Sequence, residues 1–278
     1  MKKLFLLLFI SGTLSNYAQS NQVLDFKLRF FPETSYNQTT TTSAEFQMTY
    51  QGPKDMLEKL KANGVQNPTI IKNSAYIETV LKTGKSNAEE NFPVVIEYLK
   101  SIDGNGKTIL PDGTRIYGKG SMTSLPKLDS IGSTNIDETL KNTVFQLVQN
   151  TFAQLNLPEK KVKVGESFVQ ETPMNFPVGG LNIDMTITTT YKLKSIVDKN
   201  GLFDIDQVYT AKVIDTNQNN INVSGTGTGK LIYDTQNYFT TENNLDMKFI
   251  FELKKDELTV KLNSANTFKQ KAVITKSK

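Results

Sequence analysis

The stretch VSGTGTGKLIYD, residues 223–234, carries three glycines at alternate positions before a short apolar run. At first sight GTGTGK looks like a phosphate-binding loop. A Walker A loop needs a glycine five positions before its Gly-Lys pair and Ser or Thr after the lysine. Those positions hold Ser224 and Leu231. A dinucleotide fingerprint needs a third glycine three residues after the second, where Lys230 or Ile232 stands. Both motifs also open a helix, whereas KLIYD has a strand pattern. Sorted by parity, Ile221, Val223, Gly225, Gly227, Gly229, Leu231 and Tyr233 share one side, and Asn222, Ser224, Thr226, Thr228 and Lys230 the other. The glycines therefore replace apolar residues on the inward face of a strand. Interior glycine marks a bend or the close approach of another body. Three in register would leave a bare groove roughly 13 Å long, and interiors do not keep voids. Three fillings are open: a helix over 135–157, a sharp curl of the sheet itself, or a ligand with an apolar tail. As a ligand groove, the candidate lining is Gly225, Gly227, Gly229, Tyr191, Leu231 and Tyr233.

The same period of two runs through most of the chain. In LNIDMTITTTYKLKSIV (181–197), Leu181, Ile183, Met185, Ile187, Tyr191 and Leu193 alternate with Asn182, Asp184, Thr186, Thr188, Lys192 and Lys194. Segments 202–214, 237–253 and 257–262 behave alike, and Leu24, Phe26, Leu28 and Phe30 alternate with Asp25, Lys27 and Arg29. The Thr run 39–42 leads into SAEFQMTY and fits a strand, because Thr is β-branched. DGNG (103–106), PDG (111–113) and DKNG (198–201) are hairpin signals. About eleven strands are expected, near 23–31, 39–50, 69–82, 92–103, 107–122, 161–172, 181–197, 202–214, 221–234, 237–253 and 257–276. Two helices interrupt them. Residues 135–158 place Ile136, Leu140, Val144, Leu147, Val148, Phe152 and Leu155 on one stripe, with Thr134 or Asn135 as the cap. A shorter helix spans 53–64. The fold class is mainly β: a large curved antiparallel sheet, an open half-barrel, with one long and one short helix on its concave face.

Residues 1–20 have the order of a secretion signal: Lys2 and Lys3, an apolar run Leu4–Ile10, then small and polar residues with a cut near Ala18 or Ser20. That run is too short to span a bilayer, and without cysteine it offers no lipid attachment. The expectation is an exported protein, periplasmic or secreted, with no transmembrane anchor once the signal is removed. Residues 21–278 then form one β-rich domain. NFPV at 91–94 and 175–178, LKSI at 99–102 and 193–196, and Asp-x-Asn-Gly at 103–106 and 198–201 suggest two related halves, about 21–130 and 131–278.

Composition narrows the function. There is no His, Cys or Trp. Ser-His-Asp and Cys-His catalysis, thiolate sites and His-ligated metals are excluded. No cofactor or metal site is expected, and Asp198, Asn200, Asp204 and Asp206 miss the EF-hand spacing. Lys and Arg number 32 against 28 acidic residues, with only Arg29 and Arg115 as arginines. Nucleic acid is therefore not an expected partner.

VKVGESF (162–168), TTYKLKSI (189–196), GTGTGKLIYD (225–234) and IYGKGS (116–121) resemble a family of exported bacterial β-rich proteins to which no activity is assigned. The resemblance implies export and a β-rich fold and transfers no site residue. The architecture is also similar to the open half-barrels of periplasmic lipoprotein carriers and lipid binders, by analogy alone. The expected function is non-enzymatic: an envelope binding protein with an apolar concave site for an apolar or lipid-like ligand. The alternatives are an envelope module that binds another protein, and a carboxylate-based hydrolase with two acids in one cleft.

Overall fold

A computed structural model describes residues 22–133, 136–154, 158–178, 181–214, 220–255 and 257–276. Its main sheet has eleven antiparallel strands. One meander is β2 (Thr34–Gln51), β3 (Thr69–Thr83), β4 (Asn91–Asp103), β5 (Arg115–Ser121) and β6 (Lys127–Gly132). The other is β8 (Ser167–Val178), β9 (Leu181–Val197), β10 (Asn200–Ile214), β11 (Asn220–Asp234), β12 (Phe239–Lys255) and β13 (Leu258–Lys276). They join where β13 pairs with β2, giving the order β6-β5-β4-β3-β2-β13-β12-β11-β10-β9-β8. β1 (Val23–Phe26) and β7 (Lys160–Lys163) form a separate two-stranded ribbon.

The strand expectations hold with three changes. The run 161–172 divides into β7 and β8, because Gly165 takes φ +93 and turns the chain. Residues 107–122 contribute only β5, and β6 was not expected. Residues 27–31 alternate like a strand yet form none. They run as a strap on which two tyrosine hydroxyls are pinned: Tyr36 accepts the Phe31 N–H at 2.8 Å and Tyr233 accepts the Lys27 N–H at 3.1 Å. Alternation suits the strap because Leu24 and Phe26 enter one core while Leu28 and Phe30 enter the other.

Both cores lie on the same face, toward one end of the strands. The first gathers Phe30, Tyr36, Leu81, Phe92, Val94, Ile96, Ile116, Leu128 and Phe239. The second packs Leu24 and Phe26 of β1 and Val162 of β7 onto Phe168, Leu193, Phe203, Ile205, Leu231 and Tyr233. Phe26 is central to it, with ring centroids 4.9 Å from both Phe168 and Tyr233 and 5.3 Å from Phe203.

The long helix α2 (Glu138–Gln154) leads from β6 toward β7, buries Val144, and packs Phe145 and Val148 against the first core. Asp137 Oδ1 accepts the Leu140 N–H at 2.9 Å and so caps it; the expected caps Thr134 and Asn135 lie outside the described residues. The short helix α1 (Lys54–Ala62) follows β2 and buries no residue. Its Leu57 and Leu60 line a pocket together with Tyr50 of β2.

The sheet is open. Among the described residues β8 pairs only with β9 and β6 only with β5. The free edges are blunted: β8 carries Pro173 and Pro177, which lack donors, and β6 is short.

Curvature has a local cause. A Cβ built on Gly225 would lie 2.7 Å from the Lys248 carbonyl oxygen, and one on Gly229 would collide with the Asn244 carbonyl oxygen. On β5, one on Gly118 would collide with the Lys127 carbonyl oxygen. Only glycine lets the neighbouring backbone close up on the inner side, and the sheet curls at these places. At β11 the space is taken by the β12 backbone and by neighbouring side chains of the same sheet.

Two outcomes follow. Gly229→Ala should destabilise the protein by about 2 kcal/mol or more, since a backbone atom must move. Gly227→Ala should cost less, because it meets the movable side chains of Gln207 and Met247; urea denaturation compares the two. Asp234, in the turn after β11, accepts the N–H groups of Gln236 and Asn237 at 2.9 and 3.0 Å, with Asn237 Nδ2 at 2.9 Å and Lys199 at 3.4 Å. Burial pulls its pKa up, but these partners pull harder and leave it lowered. Its contribution is present above the unfolded carboxyl value of about 3.9 and is lost as pH falls through the lower folded value. Acid titration of stability should lose that component in Asp234→Asn.

Candidate functional site

The expected glycine groove exists as geometry but not as empty space. Tyr209 and Phe249, two strands apart, lean over Gly225 until their ring centroids are 4.3 Å apart. Gln207 and Met247 flank Gly227, and Leu245 covers Gly229. Neighbouring side chains of the same sheet fill the vacancy. α2 packs at β6, on the other side of the sheet order, so the proposed helix filling at β11 is replaced by these side chains.

The remaining groove candidates face the same side but are occupied by the chain itself. Leu231 and Tyr233 lie in the second core beneath β1, and the Tyr233 hydroxyl donates to the Lys27 carbonyl at 2.6 Å. Tyr191 stacks on Phe168 with centroids 4.9 Å apart and planes 18° from parallel. Burial pushes the Tyr191 and Tyr209 hydroxyls up to about 12, and pushes Tyr233 up as well. These phenols are packed groups, not acid–base groups for neutral pH.

Beyond the glycines, toward the far ends of the strands, the inner face stays apolar, and among the described residues neither β1 nor the strap reaches it. Cross-strand register places Phe46, Ser264, Phe249, Gly225 and Tyr209 in one row, with Ile71 at its end. The next row holds Met48, Leu262, Phe251 and Val223, and the next Tyr50, Val260 and Leu253. None of these residues belongs to either core. Ile71 is 45% exposed, and Phe46, Met48, Phe249, Phe251, Leu253, Val260 and Leu262 are half-buried. Across six strands and three rows this tray is roughly 24 Å by 13 Å. Sequence reasoning found its residues as strand interiors but not their exposure, which depends on where β1 and the strap stop.

A trough of about 980 Å³ runs across the strands, with Ala44, Asn73, Gly227, Met247 and Asn266 among the residues of its wall. Its lining includes Ser43, Glu45, Lys72, Thr226, Thr228, Asp246, Lys248 and Thr267, walled by the turn Asp103–Asn105. Its acids already have structural partners in part: Glu45 pairs with Lys72 at 3.0 Å, and Asp103 Oδ1 accepts the N–H groups of Asn105 and Lys107 at 2.9 and 2.8 Å. Among the described residues no cluster of acidic side chains could hold a metal ion. No described helix is long and apolar enough to cross a membrane.

No family model matches the chain, and no curated protein does. Among solved structures, a mutant porin of Rh. blastica is similar over 86% of this chain and 100% of its own, at 8% identity and a TM-score of 0.25. So slight a similarity assigns neither fold nor activity.

Tyr233→Phe removes one acceptor and one donor from the strap. It should cost about 1–2 kcal/mol and expose residues 22–33 to limited proteolysis before the main sheet is cut, as mass spectrometry of the fragments would reveal.

Proposed function

We propose that this chain is an exported, non-enzymatic binding protein of the cell envelope that takes an apolar ligand on the uncovered inner tray. The observation that carries this reading is the tray itself. One face of one sheet is sealed by β1 and β7 at one end and left half-open at the other, although its apolar character does not change. Exposed apolar surface in a concave setting favours ligand capture. The curl at Gly225 and Gly229 supplies the concavity. Export rests on the signal-like pattern of residues 1–20.

A second reading is an envelope module that docks a polar partner in the trough of the opposite face. The paired charges of Glu45 and Lys72 and the nearby Asp246 and Lys248 favour it.

Protein recovered from its own cell envelope should lack about the first 20 residues and carry an apolar molecule in native mass spectrometry. Phe251→Asp should keep the melting temperature within a few degrees and reduce binding of a polarity-sensitive dye about tenfold or more. A full-length protein, free of ligand and indifferent to the dye, contradicts this reading. Glu45→Ala with Asp246→Ala should leave dye binding unchanged; loss of an envelope crosslink in that variant would instead favour the second reading.

A further inference from the structure

The trough lies on one face of the sheet. Its wall takes two side chains of like direction from each of five strands, among them Thr226 and Thr228 of β11, Asp246 and Lys248 of β12, and Ser43 and Glu45 of β2. The residues between them, such as Met247 and Asn266, direct their side chains to the other face and leave their backbone as the floor. The turn Asp103–Asn105 stands against Ser74 of β3 and walls one end. At that end polar groups are already bonded, Glu45 to Lys72 at 3.0 Å and Ser43 to Thr267 at 2.7 Å.

Across β11 and β12 the bonding stops. Asp246 and Lys248 are exposed and stand two residues apart, roughly 7 Å along the strand. Among the described residues neither has a hydrogen bond or an ion pair through its side chain. Register places Thr228 beside Asp246 and Thr226 beside Lys248, and these two hydroxyls are likewise unengaged among the described residues. The trough thus offers a carboxylate with a hydroxyl and, one step along, an ammonium with a hydroxyl. A ligand with one charge gains one of these groups and is repelled by the other. A ligand with both charges on one carbon gains both. An N–Cα–C unit with a charge-assisted bond at each end spans roughly 8 Å, and the flexible lysine stem takes up the difference. Ala265, the neighbour of Lys248 on β13, leaves room toward β2 for the rest of such a ligand.

We propose that the trough binds a zwitterion of the α-amino-acid type. Asp246 and Thr228 accept hydrogen bonds from its ammonium, and Lys248 and Thr226 donate to its carboxylate. This rests on the second reading above, a polar partner in the trough, and adds the chemistry of that partner.

Equilibrium dialysis of the protein against an equimolar mixture of the neutral L-amino acids, read by mass spectrometry, should enrich at least one of them on the protein side. The N-acetyl form and the amide form of that amino acid should each bind about tenfold more weakly, the scale of one charge-assisted bond. Asp246→Asn should erase the penalty for acetylation and keep the penalty for amidation. Lys248→Met should do the reverse. Both side chains are exposed, so melting followed by circular dichroism should not change in either variant. No enrichment by the wild-type protein, capped forms that bind as well as the zwitterion, or penalties that survive both variants overturn the zwitterion assignment. If an envelope crosslink still depends on Glu45 and Asp246 in that case, docking in the trough stands without it. If that crosslink is also missing, both fall.

Discussion

Two carbonyl oxygens of β12, those of Asn244 and Lys248, occupy space that side chains at Gly229 and Gly225 would need. The shape of the sheet depends on that approach. An eleven-stranded sheet twists as a matter of chirality, but twist alone does not make one face concave. Glycine removes the atom that would hold the backbones apart, so β11 and β12 close on the inner side. β5 and β6 repeat the device at Gly118 and the Lys127 carbonyl. The vacancy that glycine creates does not persist, because Tyr209 and Phe249 meet above it.

The curl gives one apolar face two fates. Where β1, β7 and the strap 27–31 cross it, aromatic rings pack from both sides and water is excluded. Where they end, the same alternation continues with nothing described in either core above it. At the border Gln207 bonds to Thr189 and Tyr209, and Asn266 bonds to Ser264. Buried polar groups are tolerable when they are satisfied in this way. The sheet is blunted at its β8 edge, since Pro173 and Pro177 deny that strand two donors.

Much of this was legible in the sequence. Period-two alternation located β9, β10, β11, β12 and β13 to within a few residues, because each buries one face along its length. It misled at 27–31, where Leu28 and Phe30 enter the first core from a strap with no strand partner. It missed β6, whose six residues include only Leu128 and Ile131 as apolar side chains. The glycine row was correctly placed on the inner face of a strand. What fills it was not legible, since Phe249 and Tyr209 become neighbours only through register between separate strands. For the same reason Tyr191, Leu231 and Tyr233 were assigned the right face and the wrong occupant: β1, about 200 residues away along the chain for the last two, lies on them.

The central claim is that the far half of the inner face is an open apolar surface made concave by glycine. A crystal structure of the protein grown with the polarity-sensitive dye tests it most directly. The account predicts density for the dye between Phe46, Leu262 and Phe251. Density on the polar face alone, or a tray already packed by the chain's own side chains, would contradict it.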